Sequence, residues 1–347
     1  MTNNLPFISI IIPCRNEERF IDKCLDSIIA QDYSKEKLEI LVVDGMSNDK
    51  TREILKDYSK KYSIIKILDN PRKVTPVAMN TGITNSKGDL YVMINSHAVI
   101  DNAFLKNGVE CFFRTAADAV GGKLNTINEE KNIIANAIPL AADSLFGAGG
   151  KRYRSKIDEG FVNDTLPYCL YKKEVINKIG LIDTELIRDQ DEEYNYRLLK
   201  KGGKIFFSPK IKSFLHIRPS LKKLWKQHFQ YGYFKPLVAK KVGTILTWRQ
   251  LVPAIFVGSL MFSGIFSFVL KPFLLLFVSL LFLYLSANII ASGSIAFKKG
   301  LKYIFVLPIV FATLHFSYGI GYLKGILDFI VFKRHRRNKI VDVPLTR

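Results

Sequence analysis

Short apolar runs alternate with segments of helical spacing over the first hundred residues of the chain. The apolar, β-branched runs predict four buried strands, at 7–13, 38–44, 64–68 and 89–94. Apolar residues at helical spacing predict helices over 19–30 and 75–83, and another helix follows the turn after the second strand. Strands that alternate with helices in this way are typical of a parallel sheet covered on both faces. The pattern therefore predicts an α/β domain of the Rossmann-like type.

Polar side chains follow these strands at the points where the strands end. The ones nearest the strand ends are Glu17, Asp44, Asn95 and His97. Ligands of parallel sheets bind at the carboxyl ends of the strands, so we expect these side chains to converge on one crevice. A later strand-like stretch over 204–215 ends at His216, which is a candidate for a second imidazole.

An acidic cluster, Asp189, Asp191, Glu192 and Glu193, lies beside Arg188 and Arg197. Residues 195–201 have helical spacing and are followed by two glycines, which end a helix. The carboxylates are therefore predicted on a loop and the first turn of this helix, where the helix dipole favours negative charge. Acidic first turns are also common helix caps, so the cluster alone does not define a site.

The C-terminal part of the chain has a different pattern. Residues 251–323 are almost free of charge and contain three apolar runs, near 251–270, 273–292 and 303–323. Each run is about long enough to cross the ~30 Å hydrocarbon layer of a membrane. Before them, residues 221–241 interleave aromatic side chains with lysines, which predicts an amphipathic helix in the headgroup layer.

These patterns divide the chain into four parts. They are a cytoplasmic domain (1–220), an amphipathic interfacial segment (221–250), a transmembrane region (251–332) and a basic tail (333–347). Three crossings place the tail outside the cell, whereas its Lys333–Arg337 run favours the cytoplasmic side. Two full crossings and one re-entrant or interfacial span are the alternative.

Charge and cysteine content narrow the class of protein. The chain has 51 Lys and Arg against 31 Asp and Glu, a formal net charge of +20, with 48% hydrophobic residues. Beside long apolar runs, this charge favours an anionic membrane surface over nucleic acid. The four cysteines form no CxxC pair, which predicts reduced, buried thiols of a cytosolic domain. The polar N-terminus lacks a signal-peptide core, which supports a multi-pass cell-membrane protein with a cytoplasmic catalytic domain.

Several motifs in order resemble the family 2 inverting glycosyltransferases, in the membrane-associated branch that builds succinoglycan-type exopolysaccharides and capsules. They are Ile10–Glu18, Val42–Asp49, Asn70-Pro71, Ala78–Gly82, Gly88-Asp89, Phe146–Gly150, Gln190–Glu193 and Tyr231–Lys235. The resemblance covers roughly residues 7–240. It implies a GT-A fold, a nucleotide-diphosphate sugar donor and a divalent metal ion.

The resemblance also implies roles for particular residues. The Asp of the family's (Glu/Gln)-Asp motif is the base that takes the acceptor hydroxyl proton, and it corresponds to Asp191. Arg188 and Arg197 flank this base and are candidates for contacting phosphate. The residues implied in nucleotide binding are Pro13, Arg15, Glu17, Asp44, Ser47, Arg72 and Asn80. A glycine-rich loop continues into Lys151, Arg152 and Arg154, and it is either a lid over donor or acceptor phosphate or a solvated loop.

The expected metal site departs from the family pattern. Where the family has Asp-x-Asp or Asp-x-His after the fourth strand, this chain has Asn95-Ser96-His97. An amide oxygen is a weaker ligand for Mg²⁺ or Mn²⁺ than a carboxylate. Asn95, His97 and His216 are the candidate metal ligands. Three interpretations compete: weakened metal binding, metal-independent transfer, and a domain that binds nucleotide without turnover.

The sequence therefore predicts a membrane-anchored transferase that moves a sugar from a UDP-sugar to a lipid-linked acceptor in exopolysaccharide, capsule or cell-surface glycan synthesis. A basic surface next to the membrane suits a polyprenyl-phosphate or diphosphate acceptor. The Gln-x-x-Arg-Trp motif of processive synthases is replaced by Gln227–Tyr231, which favours addition of one sugar per acceptor. The alternatives are a polyprenyl-phosphate monosaccharide synthase and a non-catalytic subunit that binds nucleotide sugar.

Overall fold

A computed structural model describes residues 5–128, 132–147, 158–216, 220–244 and 248–334. The chain forms two compact units. The first unit contains residues 1–127 and 152–216, and the second contains residues 128–151 and 217–347. The boundary after His216 lies close to the predicted end of the first domain. The grouping of 128–151 with the C-terminal residues is a feature that the sequence does not indicate.

The first unit opens with a run of alternating strands and helices, as the apolar pattern predicts. In chain order these are β1 (Ile8–Cys14), α1 (Ile21–Ile29), β2 (Leu38–Asp44), α2 (Thr51–Lys61), β3 (Ile65–Asp69), α3 (Thr75–Asn85) and β4 (Leu90–Met93). Every residue of β1, β2 and β4 is buried. Burial on both faces of a sheet explains why these strands are continuous apolar runs.

Shorter elements complete the sheet. They are β5 (Ala98–Ile100), α4 (Phe104–Arg114), β6 (Ala119–Ile127), β7 (Gly160–Val162), β8 (Leu170–Lys172), α6 (Glu174–Ile179), α7 (Gln190–Lys200) and β9 (Ile205–His216). Between β6 and β7 lies α5 (Ile133–Ala142), which belongs to the second unit. The strand-like stretch before His216 is thus one long strand, and α7 begins five residues before the predicted helix.

The nine strands of the sheet follow the order β3-β2-β1-β4-β8-β6-β9-β5, and β7 also pairs with β9. The first four strands are parallel, whereas β8 is antiparallel to both β4 and β6. The mostly parallel sheet that we predicted is therefore mixed in its second half. The parallel register aligns Cys14 with Asp44 and Asp44 with Asp69, so the polar ends of β1 to β3 are level.

Side chains of β1 alternate between two hydrophobic clusters on opposite faces of the sheet. Ile10 and Ile12 belong to the cluster that contains α1, and Ile11 belongs to the cluster that contains α3 and α7. On the α3 side, Gly82 has no room for a Cβ atom because that atom would overlap the Ile11 side chain. Close packing of α3 on β1 therefore depends on this glycine.

The second unit consists mainly of long helices. They are α8 (Leu221–Val242), α9 (Val252–Phe266), α10 (Lys271–Lys299) and α11 (Val306–Gly325), which continues into a π-helical turn. Three stretches among the described residues are long and apolar enough to cross a membrane: Trp248–Phe266, Lys271–Lys299 and Val306–Val331. They correspond to the three predicted runs.

Helix α8 packs on α11 through glycines. A Cβ atom on Gly232 would overlap the backbone of Tyr318, and Cβ atoms on Gly321 and Gly325 would overlap the backbone of α8. The C-terminal half of α8 is consequently buried, whereas Trp225 in its first half is exposed. The predicted interfacial helix is thus also a packing partner of a candidate membrane span.

Candidate active site

Hydrogen bonds join the loops that follow β1 and β2. The Asn16 N–H donates to Ser47 Oγ at 2.9 Å, and the Glu17 N–H donates to Thr51 Oγ1 at 2.8 Å. In the other direction, the Asn48 N–H donates to Asn16 Oδ1 at 3.0 Å. These bonds fix the two loops as one rigid wall at the carboxyl edge of the sheet.

Backbone strain is concentrated at this edge. Among the described residues, six non-glycine residues have positive φ. Asn16, Met46 and Lys73 follow β1, β2 and β3, while Tyr168 precedes β8 and Asp189 immediately precedes α7. Positive φ is unfavourable for side-chain-bearing residues and tends to cluster at functional sites. The strained loops thus mark the same edge as the polar strand ends.

The carboxylate of Asp44 lies almost completely buried at the end of β2. It accepts hydrogen bonds from the Ser47 backbone N–H at 3.2 Å and from the Ser47 hydroxyl. The guanidinium of Arg52 lies 2.8 Å from its other oxygen and also binds Asp69. Hydrogen bonds to Asp69 and Asp44 raise the pKa of Arg52. Our sequence analysis missed Arg52, although a carboxylate buried at a strand end requires a nearby counter-charge.

Glu17 and His97 form a pair across the candidate metal position. His97 Nδ1 lies 3.2 Å from Glu17 Oε1, and both side chains are partly exposed. The amide nitrogen of Asn95 donates to the Tyr168 hydroxyl at 3.0 Å. His216 lies on the neighbouring strand, where its backbone N–H donates to the His97 carbonyl at 3.4 Å.

These residues do not form a complete metal site by themselves. Within the described segments, no three His, Cys, Asp or Glu side chains are grouped closely enough to hold a metal ion. The ring of His216 packs on Phe20, with centroids 5.0 Å apart. Asn95 offers only a neutral carbonyl oxygen as a ligand, because its amide nitrogen is a donor and here bonds the Tyr168 hydroxyl. A metal ion would therefore need ligands from the substrate as well.

Asp191 lies exposed in the first turn of α7. The helix begins after Asp189, and Asp191 Oδ1 accepts the N–H of Glu192 at 2.9 Å. A helix N-terminus favours the ionised form of a carboxylate. An exposed carboxylate held there is accessible to a hydroxyl group from solvent.

Buried tyrosines anchor α7 to the sheet. The hydroxyls of Tyr91 and Tyr194 are hydrogen-bonded at 2.7 Å, and the Tyr171 hydroxyl donates to Asn195 Oδ1 at 2.8 Å. The Asn195 amide nitrogen in turn donates to the Leu166 carbonyl at 3.0 Å. Burial raises the pKa of Tyr194 to about 12 and also raises the pKa of Tyr91 and Tyr171. All three hydroxyls therefore stay protonated, and their hydrogen bonds hold the start of α7 on the sheet.

Arg197 is occupied within the protein. Its Nε lies 2.8 Å from Glu193 Oε1, and its other nitrogens donate to Glu193 Oε2 and to the carbonyls of Ile179 and Leu181. This geometry differs from the phosphate contact that we predicted, because the guanidinium instead ties α7 to the end of α6. Arg188 is half-buried, and its predicted role remains a prediction.

The other predicted nucleotide contacts have varied surroundings. The Asn80 amide is bonded to both backbone groups of Ile182, at 2.8 and 2.9 Å, which links α3 to the segment before α7. Arg15 is half-buried beside Gly45, whereas Arg72 is exposed. Pro13 is buried within β1. Lys151, Arg152 and Arg154 lie outside the described residues.

The cysteines agree with the sequence analysis. Cys14, Cys24, Cys111 and Cys169 are all free and buried. Burial raises the pKa of each thiol, so all four are protonated and unreactive.

The fold and the arrangement at its carboxyl edge define a class of protein. A parallel β1–β4 sheet continues into a mixed half, polar loops follow the strands, and an exposed carboxylate begins the helix packed on that sheet. These are the features of a nucleotide-sugar glycosyltransferase with a GT-A fold.

Comparison with known proteins identifies the family. The chain belongs to glycosyl transferase family 2, whose model matches residues 9–180. Over 329 residues it is 33% identical to the dolichyl N-acetyl-alpha-D-glucosaminyl phosphate 3-beta-D-2,3-diacetamido-2,3-dideoxy-beta-D-glucuronosyltransferase of Methanococcus voltae. That alignment covers 92% of this chain and 97% of the relative.

A further relative and a solved structure are also similar to the chain. The succinoglycan biosynthesis protein ExoA of Rhizobium meliloti is 26% identical over 246 residues, which cover 70% of this chain and 73% of ExoA. The mannosyltransferase PcManGT of Pyrobaculum calidifontis, solved with GDP-Man and Mn²⁺, superposes with a TM-score of 0.58 at 15% identity. That superposition covers 94% of this chain and 89% of the mannosyltransferase, and it confirms the GT-A fold.

Proposed function

We propose that this chain is an inverting, non-processive transferase that moves a sugar from a UDP-sugar to a lipid-linked acceptor at the cytoplasmic face of the cell membrane. The observation that carries the proposal is the exposed Asp191 carboxylate on a helix anchored by buried tyrosines. The acceptor class is supported by the relative from Methanococcus voltae, which acts on a dolichyl phosphate-linked sugar. ExoA supports a role in exopolysaccharide synthesis.

Inversion requires a single displacement and a single base. The acceptor hydroxyl oxygen bonds to the anomeric carbon while the bond from that carbon to the donor diphosphate breaks. The hydroxyl proton passes to Asp191, and the nucleoside diphosphate leaves with the bonding electron pair. The helix N-terminus at which Asp191 lies favours the negatively charged carboxylate that accepts this proton.

The nucleotide is proposed to bind the wall formed by the loops after β1 and β2. Asp44 already binds Ser47 and Arg52, but each carboxylate oxygen has two lone pairs and can accept another hydrogen bond. The N–H of a uracil ring is a suitable donor for it. Arg52 orients the Asp44 carboxylate for this contact.

The metal ion is proposed to bind together with the donor. Magnesium and manganese sites of nucleotide enzymes commonly combine one or two protein groups with substrate phosphates. Glu17 and His97 are close enough to share one ion with a diphosphate, and the Asn95 carbonyl lies on the same loop. Such an ion would offset the charge of the leaving diphosphate.

Release of UDP by the purified full-length protein tests the proposal. The assay combines a panel of UDP-sugars with native lipid extract, in Mn²⁺, in Mg²⁺ and with chelator. Asp191→Asn is compared with Glu185→Gln, which alters an exposed carboxylate just before α7. Lipid-dependent release from one UDP-sugar that is lost only in Asp191→Asn supports the proposal.

Other outcomes have distinct meanings. Equal release by Asp191→Asn and the unaltered protein would indicate that a phosphate attacks the sugar, as in a polyprenyl-phosphate monosaccharide synthase. Release only from GDP-sugars would overturn the UDP assignment. Release that survives chelator would overturn the proposed metal ion.

A further inference from the structure

Residues 132–147 interrupt the sequence of the first unit but pack within the second. Helix α5 is capped by Asn132, whose side-chain oxygen accepts the Ala135 N–H at 2.6 Å. Small and apolar residues of α5 form one buried cluster with residues of α8, α10 and α11. Its members include Ala137, Ile138, Ala141, Leu224, Ala296, Leu307, Val310, Phe311 and Leu314. Helix α5 therefore packs on candidate membrane spans.

Phe146, just after α5, extends this contact. Its ring centroid lies 5.0 Å from that of Phe311 and 4.8 Å from that of His315, both on α11. It also lies 6.1 Å from the ring of Tyr284, on α10. One aromatic side chain thus contacts two of the three candidate spans.

A hydrogen bond fixes the backbone of Phe146 at the same place. His315 Nε2 lies 2.7 Å from the Phe146 carbonyl oxygen, and His315 Nδ1 lies 3.1 Å from the Tyr284 hydroxyl. A carbonyl oxygen can only accept, so Nε2 carries the proton. In a neutral imidazole Nδ1 then accepts the hydrogen bond of the tyrosine. Both ring nitrogens are used without a charge, which suits an apolar environment.

The depth of this contact follows from the position of Tyr284. The candidate span Lys271–Lys299 has 29 residues, and Tyr284 is close to its midpoint. At about 1.5 Å per residue, the midpoint of such a helix is about 20 Å from either end. A helix that crosses a membrane places its midpoint deep within the hydrocarbon layer. Phe146, in contact with Tyr284, lies at a similar depth.

We propose that residues 132–147 form a re-entrant membrane segment whose tip, at Leu145, contacts lipid hydrocarbon. Leu145 is 86% exposed and adjoins Phe146, so at this depth its surroundings are acyl or isoprenoid chains. Helix α5 has ten residues, which is too short to cross a membrane and suits a segment that enters it only in part. His315 holds the segment at depth. The proposal concerns lipid contact and does not depend on the proposed transferase activity.

Depth measurements on the full-length protein in lipid nanodiscs test this inference. A nitroxide is attached at Leu145→Cys, and its collisions with oxygen and with a water-soluble nickel chelate are compared. The four native cysteines are buried, so unaltered protein serves as the labelling blank. Phe282→Cys, exposed on α10, is the lipid control, and Phe113→Cys, exposed on α4, is the water control.

The expected result is that the Leu145 label behaves like the Phe282 label: it collides often with oxygen and rarely with the nickel chelate. A Leu145 label that is as accessible to the chelate as the Phe113 label would overturn the re-entrant segment. Because neither result requires turnover, a failure here is distinguishable from a failure of the proposed transferase function.

The role of His315 is tested with two variants of the labelled protein. His315→Gln retains an N–H that can reach the Phe146 carbonyl, whereas His315→Leu does not. Loss of depth at Leu145 in His315→Leu, but not in His315→Gln, is the expected result. Unchanged depth in His315→Leu would overturn the role of the histidine. If the Phe282 label also changes depth in His315→Leu, the helices have separated and that variant is not informative. The result for His315→Gln then decides. Retained depth of the Leu145 label in His315→Gln supports the role of the histidine, and lost depth overturns it.

Discussion

The guanidinium of Arg52 bridges Asp44 and Asp69, which end adjacent strands of the parallel sheet. The bridge holds a buried carboxylate at the place where the nucleotide is proposed to bind. It connects the first turn of α2 to the ends of β2 and β3, so one side chain holds the buried Asp44 carboxylate within the binding wall.

Removing this bridge should weaken donor binding. In Arg52→Gln, Asp44 loses its charged partner, and a hydrogen bond to a charged group contributes about 1.5–3 kcal/mol. We expect the KM for the donor to rise about 10- to 100-fold with a smaller change in kcat. Steady-state UDP release measures both values. Lys56→Gln, on an exposed position of α2, is the matched control. An unchanged KM in Arg52→Gln would contradict this role.

The tyrosine network predicts a loss of stability together with a loss of rate. Tyr171→Phe removes the donor to Asn195 and leaves a buried amide oxygen unsatisfied, which costs about 1–3 kcal/mol. Thermal unfolding should shift downward, and kcat should fall because α7 carries Asp191. Tyr62→Phe is the control, since this tyrosine is partly exposed and lies outside the network. Full stability in Tyr171→Phe would show that Asn195 finds another donor.

The glycines between α8 and α11 predict a packing defect. Gly321→Val places a side chain where a Cβ atom already overlaps the backbone of Phe229. The helices must separate, and overpacking of this kind costs about 1–3 kcal/mol or more. The detergent-solubilised protein should unfold at a lower temperature. Gly293→Val, on α10, is the control, because the nearest atom to its Cβ is the Phe297 side chain at 3.9 Å. Equal effects of the two substitutions would contradict tight α8–α11 packing.

The surroundings of Glu39 make the stability of the first unit depend on pH in the acid range. Burial alone would raise its pKa, but hydrogen bonds from Ser9, the Lys87 N–H and Lys66 outweigh burial and lower it. A carboxyl group whose pKa is lower in the folded state stabilises the fold at pH values above its pKa in the unfolded chain, which is about 4.3. That stability is lost as the pH falls through the folded pKa.

Glu39→Gln should therefore lower the free energy of unfolding at neutral pH. Below the unfolded pKa of the glutamate, the free energy of unfolding should also depend less on pH than in the unaltered protein. Denaturant unfolding at a series of pH values measures the effect. Glu53→Gln, an exposed residue of α2, should leave the pH profile unchanged. A parallel pH profile for Glu39→Gln and the unaltered protein would show that other carboxylates determine acid unfolding.

The predictable part of the fold is the part encoded locally. Strands β1 and β2 are buried on both faces and therefore appear as continuous apolar runs. Strand β8 has only three residues, and its antiparallel insertion beside β4 leaves no local signal. Likewise α5 looks like part of the first domain, because a ten-residue apolar helix has the same pattern in a soluble core and in a membrane.

In the candidate site, too, the sequence predicts the locally encoded features but not those set by long-range packing. The sequence placed Asp44, Glu17 and His97 at strand ends, and the structure brings Glu17 and His97 into contact. It did not indicate the partners that hold the site together, namely Arg52 for Asp44 and Tyr171 for α7. Such partners are set by long-range packing rather than by spacing along the chain. Arg197 illustrates the converse, because a cation next to a motif can be occupied by nearby carbonyls.

The length of α10 has a consequence for any bilayer that this candidate span crosses. Its 29 residues extend about 43 Å, whereas the hydrocarbon layer of a typical bilayer is about 30 Å thick. A helix of this length that crosses such a layer must tilt, or the surrounding lipids must stretch, to cover its apolar surface. Tilt changes with acyl-chain length, so the ends of α10 move relative to one another as the bilayer thickens. As a membrane span, α10 would thus couple the second unit mechanically to bilayer thickness.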